Sequence, residues 1–181
     1  MIVYFVSSNA QKHEDIAHIF RDSKSPPRSL HQSLVEVLSS DLETVVREKA
    51  KAAYKEALVP LMVEHGALYI DHLNGLPGPM VKLFWEKLEH ELPNLIPGGA
   101  SRRAHVVQAV CYCDGKKLRV YKGRIEGSIA PKKRGRGGIH WDPTFIPSGS
   151  RKTLGEMSFE ERIAGHAFTK AYAALRRDLK I

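Results

Sequence analysis

Apolar and polar residues fall in blocks along the chain, and each block predicts an element. Residues 2–6, IVYFV, are apolar, β-branched and aromatic, and the run stops at Ser7, Ser8 and Asn9. Ile16, Ile19 and Phe20 then recur at helical spacing within 11–21. A strand, a polar turn and a helix therefore open the chain, as at the entry to an α/β domain. Residues 24–33 are rich in Pro and Ser and read as a loop. The clearest helix covers 41–58, where Val45, Val46, Ala50, Ala53 and Ala57 share one side and charges fill the other. Residues 61–71 have strand character and run into NGLPGP, whose Gly and Pro demand a turn. Residues 80–92 read as a helix, and Pro97, Gly98 and Gly99 break the chain again. Strands at 105–113 and 117–122 flank Asp114–Gly115, a good hairpin turn, and 123–130 reads as another strand. The last helix spans 158–179, with Ser158 as its cap and Glu161 at the third position. Without a repeat or a long linker, this order argues for one α/β domain over residues 1–181, with a mixed sheet.

The length fits that reading, since domains mostly run to roughly 100–200 residues. A chain of this size buries roughly 70% of its unfolded surface and needs no staples. Charge changes the picture more. Twenty-eight Lys and Arg against 20 Asp and Glu leave +8, with a sequence pI near 9.5. That balance points to a polyanionic partner: nucleic acid, an anionic membrane or a phosphate-rich small molecule. No apolar run approaches the roughly 20 residues of a membrane span. The N-terminus lacks a basic region ahead of its short apolar run, so it does not read as a signal peptide. Cys111 and Cys113 lie two apart on a predicted strand, where a disulfide is geometrically poor, and two cysteines alone make no zinc site. Packing roles and a reducing, cytoplasmic location are expected.

Several segments carry possible chemistry. Ser7-Ser8-Asn9-x-x-Lys12 lies between the first strand and the first helix. Helix N-terminal N–H groups, small hydroxyls and a lysine together cradle phosphate; a capped helix with a solvated lysine explains the same residues. Arg47-Glu48-Lys49 reads first as a solvated helix face. Glu64, His65 and Asp71 cluster around a strand end, where carboxylates hold Mg²⁺ against substrate phosphates, or simply form a surface turn. Lys132, Lys133, Arg134 and Arg136 sit among glycines, suited to a phosphate backbone, a triphosphate or plain solvation. Trp141-Asp142-Pro143 pairs an aromatic face with an acceptor, fit to stack a purine and read its edge, or to serve as core. His166, on the last helix, suits a phosphate or a carbonyl, or a structural role.

Taken in order, these segments resemble the inosine triphosphate pyrophosphatase family, the house-cleaning nucleoside triphosphate pyrophosphatases. VSSNAQKHED at 6–15 resembles the opening TGNxxKxxE pattern, and VVREKAKAAY at 45–54 the helix with a substrate-contacting lysine, here Lys49. VEHGALYIDHLNGLPGPMVKLFWEKL is similar to VEDTGLxxxALNGLPGPYxKWFLEKL. GRIEGSIAP and GGIHWDPTFIP are similar to GxIxxxP and GFGYDPxFxP, and ERIAGHAFTKAYAAL stands at EKNxxSHRxxAL. The resemblance implies an elongated α/β fold with a long mixed sheet and two lobes flanking a nucleotide cleft. It implies a homodimer and Mg²⁺-dependent hydrolysis (Mn²⁺ as an alternative) of ITP, dITP or XTP to monophosphate and pyrophosphate. Carried over, Ser7, Ser8, Asn9 and Lys12 contact phosphate and Lys49 holds the polyphosphate. Glu36, after a one-residue shift, and Glu64 serve the metal. Trp141 and Asp142 belong to the base pocket, with His166 at the purine or phosphate.

Departures mark this chain. The family's catalytic Asp falls on His65, a poor ligand for a hard cation but a base near neutral pH. Ile139 and His140 replace the stacking Phe and the Gly after it. The lysine of EKN falls on Glu161, with Arg162 beside it as a substitute, and the arginine of SHR is Ala167. Glu64, His65 and Asp71 are thus the catalytic candidates. The alternative is a nucleotide-binding relative that has lost hydrolysis; a nucleic-acid-binding protein, carried by charge alone, ranks third.

Overall fold

The computed structural model describes residues 2–165 and 167–181. Strand β1 (Tyr4–Ser7) leads into helix α1 (Ala10–Ile19), followed by β2 (Arg28–His31) and helix α2 (Leu42–Ala57). Then come β3 (Leu61–Ile70), the two-residue β4 (Pro77–Gly78), α3 (Val81–Leu88), β5 (Arg103–Cys113), β6 (Leu118–Ile129) and β7 (Phe145–Pro147). Helices α4 (Phe159–Gly165) and α5 (Ala167–Leu179) close the chain. The strands form a seven-stranded sheet in the order β2-β1-β3-β5-β6-β7, with β4 on β3. Strand β1 is parallel to both β2 and β3, whereas β4 on β3 and β7 on β6 are antiparallel, so the sheet is mixed as expected.

Local chemistry explains most boundaries. Asp41 caps α2 by accepting from the Glu43 and Thr44 amides at 3.2 and 3.0 Å. Leu42, Val45, Val46, Ala50 and Ala53 then turn one stripe into the core. At the C-terminal region, Glu161 N donates to Ser158 Oγ at 3.1 Å and Ser158 N donates to Glu161 Oε2 at 2.9 Å, the reciprocal cap the sequence predicts. Between β5 and β6, Asp114 Oδ1 accepts from Lys116 and Lys117 amides, and Gly115 takes φ +84°. A Cβ at Gly115 would stand 2.2 Å from the Tyr54 hydroxyl, so the turn admits only glycine.

The structure corrects three boundaries. The loop expected at 24–33 contains β2, an edge strand with one half-buried apolar residue, Leu30, and so no readable alternation. The strands expected at 117–122 and 123–130 are one, β6, which runs through the buried Gly123. The helix expected at 80–92 ends at Leu88, because Glu89 takes a positive φ of 43°, and a tighter 3-10 turn over Glu89–Leu95 follows with Pro93 inside it.

Two compact units share the chain. The first comprises residues up to His65, Ala109–Lys122 and Ala171–Ile181; the second comprises Gly66–Gln108 and Gly123–Lys170. Phe5, Phe20, Val46, Met62, Tyr112 and Tyr172 anchor the core of the first, each 0–1% exposed. Leu68, Ile70, Leu92, Val106, Phe145 and Leu154 anchor that of the second. Both cysteines are free and buried, and burial pushes the Cys111 thiol up to about 12, which suits packing rather than reactivity.

Candidate active site

The first unit gathers eight of the expected residues around the start of α1 and the middle of β3. Where β1 ends, Asn9 N donates to Ser7 Oγ at 3.1 Å, and the Asn9 side chain caps α1 by accepting from Lys12 N at 3.3 Å. His13 Nε2 reaches back to the Ser7 carbonyl at 2.9 Å and closes the turn from the helix side. Ser8 stands exposed at its tip. Amides at a helix N-terminus, with the positive end of its dipole, make this turn a natural seat for phosphate.

Strand β3 supplies the charges. All but two of its ten residues, Gly66 and Tyr69, are buried, which is the pattern of a strand covered on both faces. Glu64 and His65 interrupt that apolar run, each only 8% exposed. Lys12 Nζ sits 3.1 Å from Glu64 Oε1, and the Tyr172 hydroxyl donates to Glu64 Oε2 at 2.5 Å. Lys49, from α2, donates to the Glu64 carbonyl at 3.2 Å and pairs with Glu36 Oε1 at 2.5 Å. His65 Nδ1 lies 3.5 Å from Glu36 Oε2. Lysine 49 is therefore not a solvated surface charge: its side chain is 11% exposed.

These contacts fix the charge states. Burial pushes Glu64 up, but Lys12 and the Tyr172 hydroxyl outweigh it and hold the carboxyl below its ordinary range. Burial likewise opposes Glu36, and Lys49 reverses the balance, so Glu36 is also held low. Burial, reinforced by the neighbouring Lys12, pulls the Lys49 ammonium down, and Glu36 only partly restores it. Both carboxylates are ionised at neutral pH, beside Lys12 and Lys49.

A divalent ion finds oxygen donors here, but few. Among the described residues no group of three or more His, Cys, Asp and Glu side chains converges on one point. Mg²⁺ tolerates that, since it usually takes one or two carboxylates and completes its shell with water and substrate phosphates. Both carboxylates have neighbours at each oxygen, Lys49 and His65 on Glu36, Lys12 and Tyr172 on Glu64. Glu36 fits the role better because its side chain is 32% exposed, whereas that of Glu64, expected to serve the metal too, is 10% exposed.

The remaining expected residues belong to the second unit. Asp71 opens the turn after β3 and faces Arg103 at 3.6 Å, half exposed. Asp142 is buried, and its Oδ2 accepts from the Ile139 amide at 2.9 Å. A Cβ at Gly138, which has φ +78°, would lie 2.1 Å from that oxygen. Trp141 is buried with its Nε1 lacking a hydrogen-bond partner among the described residues. Arg162, 8% exposed, lays its guanidinium over the Phe159 ring at 5.5 Å and has no carboxylate partner among the described residues. His166 lies outside the described residues. The basic loop at 132–136 is partly nailed down: Arg134 Nη2 donates to the Arg151 carbonyl and Arg134 N to the Pro143 carbonyl. Sequence reasoning missed Tyr172 and His13. Tyr172 sits in an apolar stripe with Ala171 and Leu175, where its hydroxyl gives no periodic signal.

Comparison with known proteins covers nearly the whole chain. The model of the Ham1 family matches residues 3–178. A dITP/XTP pyrophosphatase of Korarchaeum cryptofilum is 33% identical over 163 residues, covering 90% of this chain and 88% of that protein. Inosine triphosphate pyrophosphatase 1 of Trypanosoma cruzi is 36% identical over 151 residues, 82% and 77% of the two chains. Among solved structures, a HAM1 protein from Coxiella burnetii superposes with a TM-score of 0.80 at 21% identity, covering 99% of each chain. The Ham1 protein of Staphylococcus aureus gives 0.74 at 22%, covering 98% of each, and both support the fold.

Proposed function

The chain belongs to the Ham1 family, and from that premise we propose that it hydrolyses deaminated purine nucleoside triphosphates, dITP, ITP and XTP, to the monophosphate and pyrophosphate. One observation carries the reading: Lys12 and Lys49 meet at the buried Glu64 beside the capped N-terminus of α1. Two cations and a set of helix amides converge there with no phosphate-free task that requires them all. Relatives named for dITP, XTP and inosine triphosphate supply the base class.

The turn at Ser7, Ser8 and Asn9 binds phosphate through its amides, and Lys12 and Lys49 neutralise charge on the polyphosphate. Glu36 holds a divalent ion, Mg²⁺ or Mn²⁺, which when bound offsets negative charge developing on the leaving pyrophosphate. His65 stands where the family has an aspartate and serves as general base for the attacking water. A proton accepted at His65 Nδ1 arrives 3.5 Å from Glu36 Oε2, which stabilises the imidazolium. The water oxygen then bonds to the α-phosphorus, and the bond from that phosphorus to the bridging oxygen breaks. Resemblance assigns Trp141, Asp142, Arg162 and His166 to the base. It also supports a homodimer, checked by sedimentation, and two free cysteines support a cytoplasmic setting.

Pyrophosphate release from a panel of triphosphates, with Mg²⁺ or Mn²⁺, tests the reading. Release from ITP, dITP and XTP well above that from ATP is expected. Binding of these nucleotides without release would instead make the protein a nucleotide-binding relative.

A further inference from the structure

We infer that Tyr172 is a positioning residue for the phosphate-binding lysine, acting through Glu64. The inference rests on the proposed seat of the phosphates at Lys12. Glu64 is a carboxylate in an almost dry place, 8% exposed, and such a group must have its lone pairs satisfied or it neutralises. It has two charge-relevant partners. Lys12 Nζ stands 3.1 Å from Oε1, and the Tyr172 hydroxyl donates to Oε2 at 2.5 Å. The two oxygens are therefore divided between one cation and one neutral donor.

That division fixes a geometry. The phenol can donate to only one of the oxygens from its place in the core, because the Tyr172 ring is fully buried and packs edge to face against Phe20, 5.7 Å between centroids. Helix α5 is tied to α1 again where Arg176 Nη1 donates to the Ile19 carbonyl at 3.1 Å and its guanidinium lies over the Phe20 ring. A phenol held this firmly pins the carboxylate plane, so Oε1 always faces Lys12. The ammonium of Lys12 is thereby parked at one point next to the α1 N-terminus, instead of ranging over the several rotamers of a free lysine. Without the phenol, Glu64 has an unsatisfied oxygen and turns both toward Lys12, which competes with phosphate for the same ammonium. Tyr172 itself touches no substrate. Its effect on binding passes entirely through Glu64 and Lys12.

The test is a double-mutant cycle on the full chain, with inorganic tripolyphosphate as the probe and calorimetry as the readout. Tyr172→Phe removes the hydroxyl and keeps the ring, so packing against Phe20 survives, and the melting temperature of each variant reports any structural cost separately. Tyr172→Phe is expected to weaken tripolyphosphate binding about 5- to 10-fold, as befits one hydrogen bond to a charged group. Lys12→Ala should weaken it further, and the double variant should bind no worse than Lys12→Ala alone. Glu64→Gln, which keeps the shape and loses the charge, should also make Tyr172→Phe silent. Wild-type binding by Tyr172→Phe, or losses that multiply in the double variant, would overturn the positioning role while leaving the phosphate site standing. Unchanged binding in Lys12→Ala would instead overturn the phosphate site itself and the inference with it.

Discussion

The two units treat their buried charges differently. In the first, each buried charge has a partner: Lys12 and Tyr172 on Glu64, and Lys49 on Glu36. In the second, the segments assigned to the base hold Trp141 Nε1 buried with no hydrogen-bond partner among the described residues, and Arg162 over the Phe159 ring with no carboxylate partner among them. The first arrangement holds its charges in place by mutual compensation. The second leaves donors that an acceptor-rich edge, such as the carbonyls of a deaminated purine, would satisfy. Organisation by paired charge contributes to folding; unpaired donors cost stability and are retained where they recognise something.

His65→Ala should lower kcat about 10²- to 10⁴-fold, the usual worth of a general base, with KM within about threefold. Unchanged turnover would move the base to Glu64 or Asp71.

A pair of substitutions then contrasts the units directly. Lys12→Met leaves Glu64 buried with the Tyr172 hydroxyl alone, and urea unfolding should show a loss of about 2–3 kcal/mol, discounted from a fully buried pair because Lys12 is 18% exposed. Arg162→Met removes a buried cation that has no counter-charge among the described residues, so stability should stay within about 0.5 kcal/mol or rise, while ITP binding weakens. Equal destabilisation by both would erase the distinction between the units.

Glu36 and Glu64 are both held below the ordinary carboxylate range, so their contribution is fully present above the unfolded value of about 4.3 and is lost as pH falls through their folded values. Melting temperature should therefore fall steeply below about pH 5. Lys12→Met should flatten that fall, because Glu64 then loses the cation that depresses it.

The smallest effect lies at the end of α2, where Leu58 is 71% exposed and takes φ +53°. Glycine adopts that conformation freely, so Leu58→Gly should raise stability by about 0.5–1 kcal/mol in the same unfolding assay.

Much of this organisation is legible in the chain. The α2 stripe, the α4 cap and the Asp114–Gly115 turn rest on local rules, and each stands where periodicity or turn chemistry puts it. Lys12, Lys49, Glu36 and Glu64 are legible through motif spacing, and the structure brings them together. Other features are long-range and leave no local trace. Strand β2 exists because β1 offers a parallel edge, not because RSLH alternates. Tyr172 meets Glu64 across 108 residues of sequence, and an apolar helical stripe hides its hydroxyl. The role of Lys49 changes for the same reason: a helix-face charge becomes a buried partner only once β3 and Glu36 are beside it.

In the proposed reaction, water deprotonated in the first unit attacks the α-phosphorus. Turnover of ITP in ¹⁸O-labelled water with Mg²⁺, followed by mass spectrometry of both products, tests it directly. One labelled oxygen in inosine monophosphate and none in pyrophosphate is the predicted result; label in the pyrophosphate, or no turnover of ITP, would contradict it.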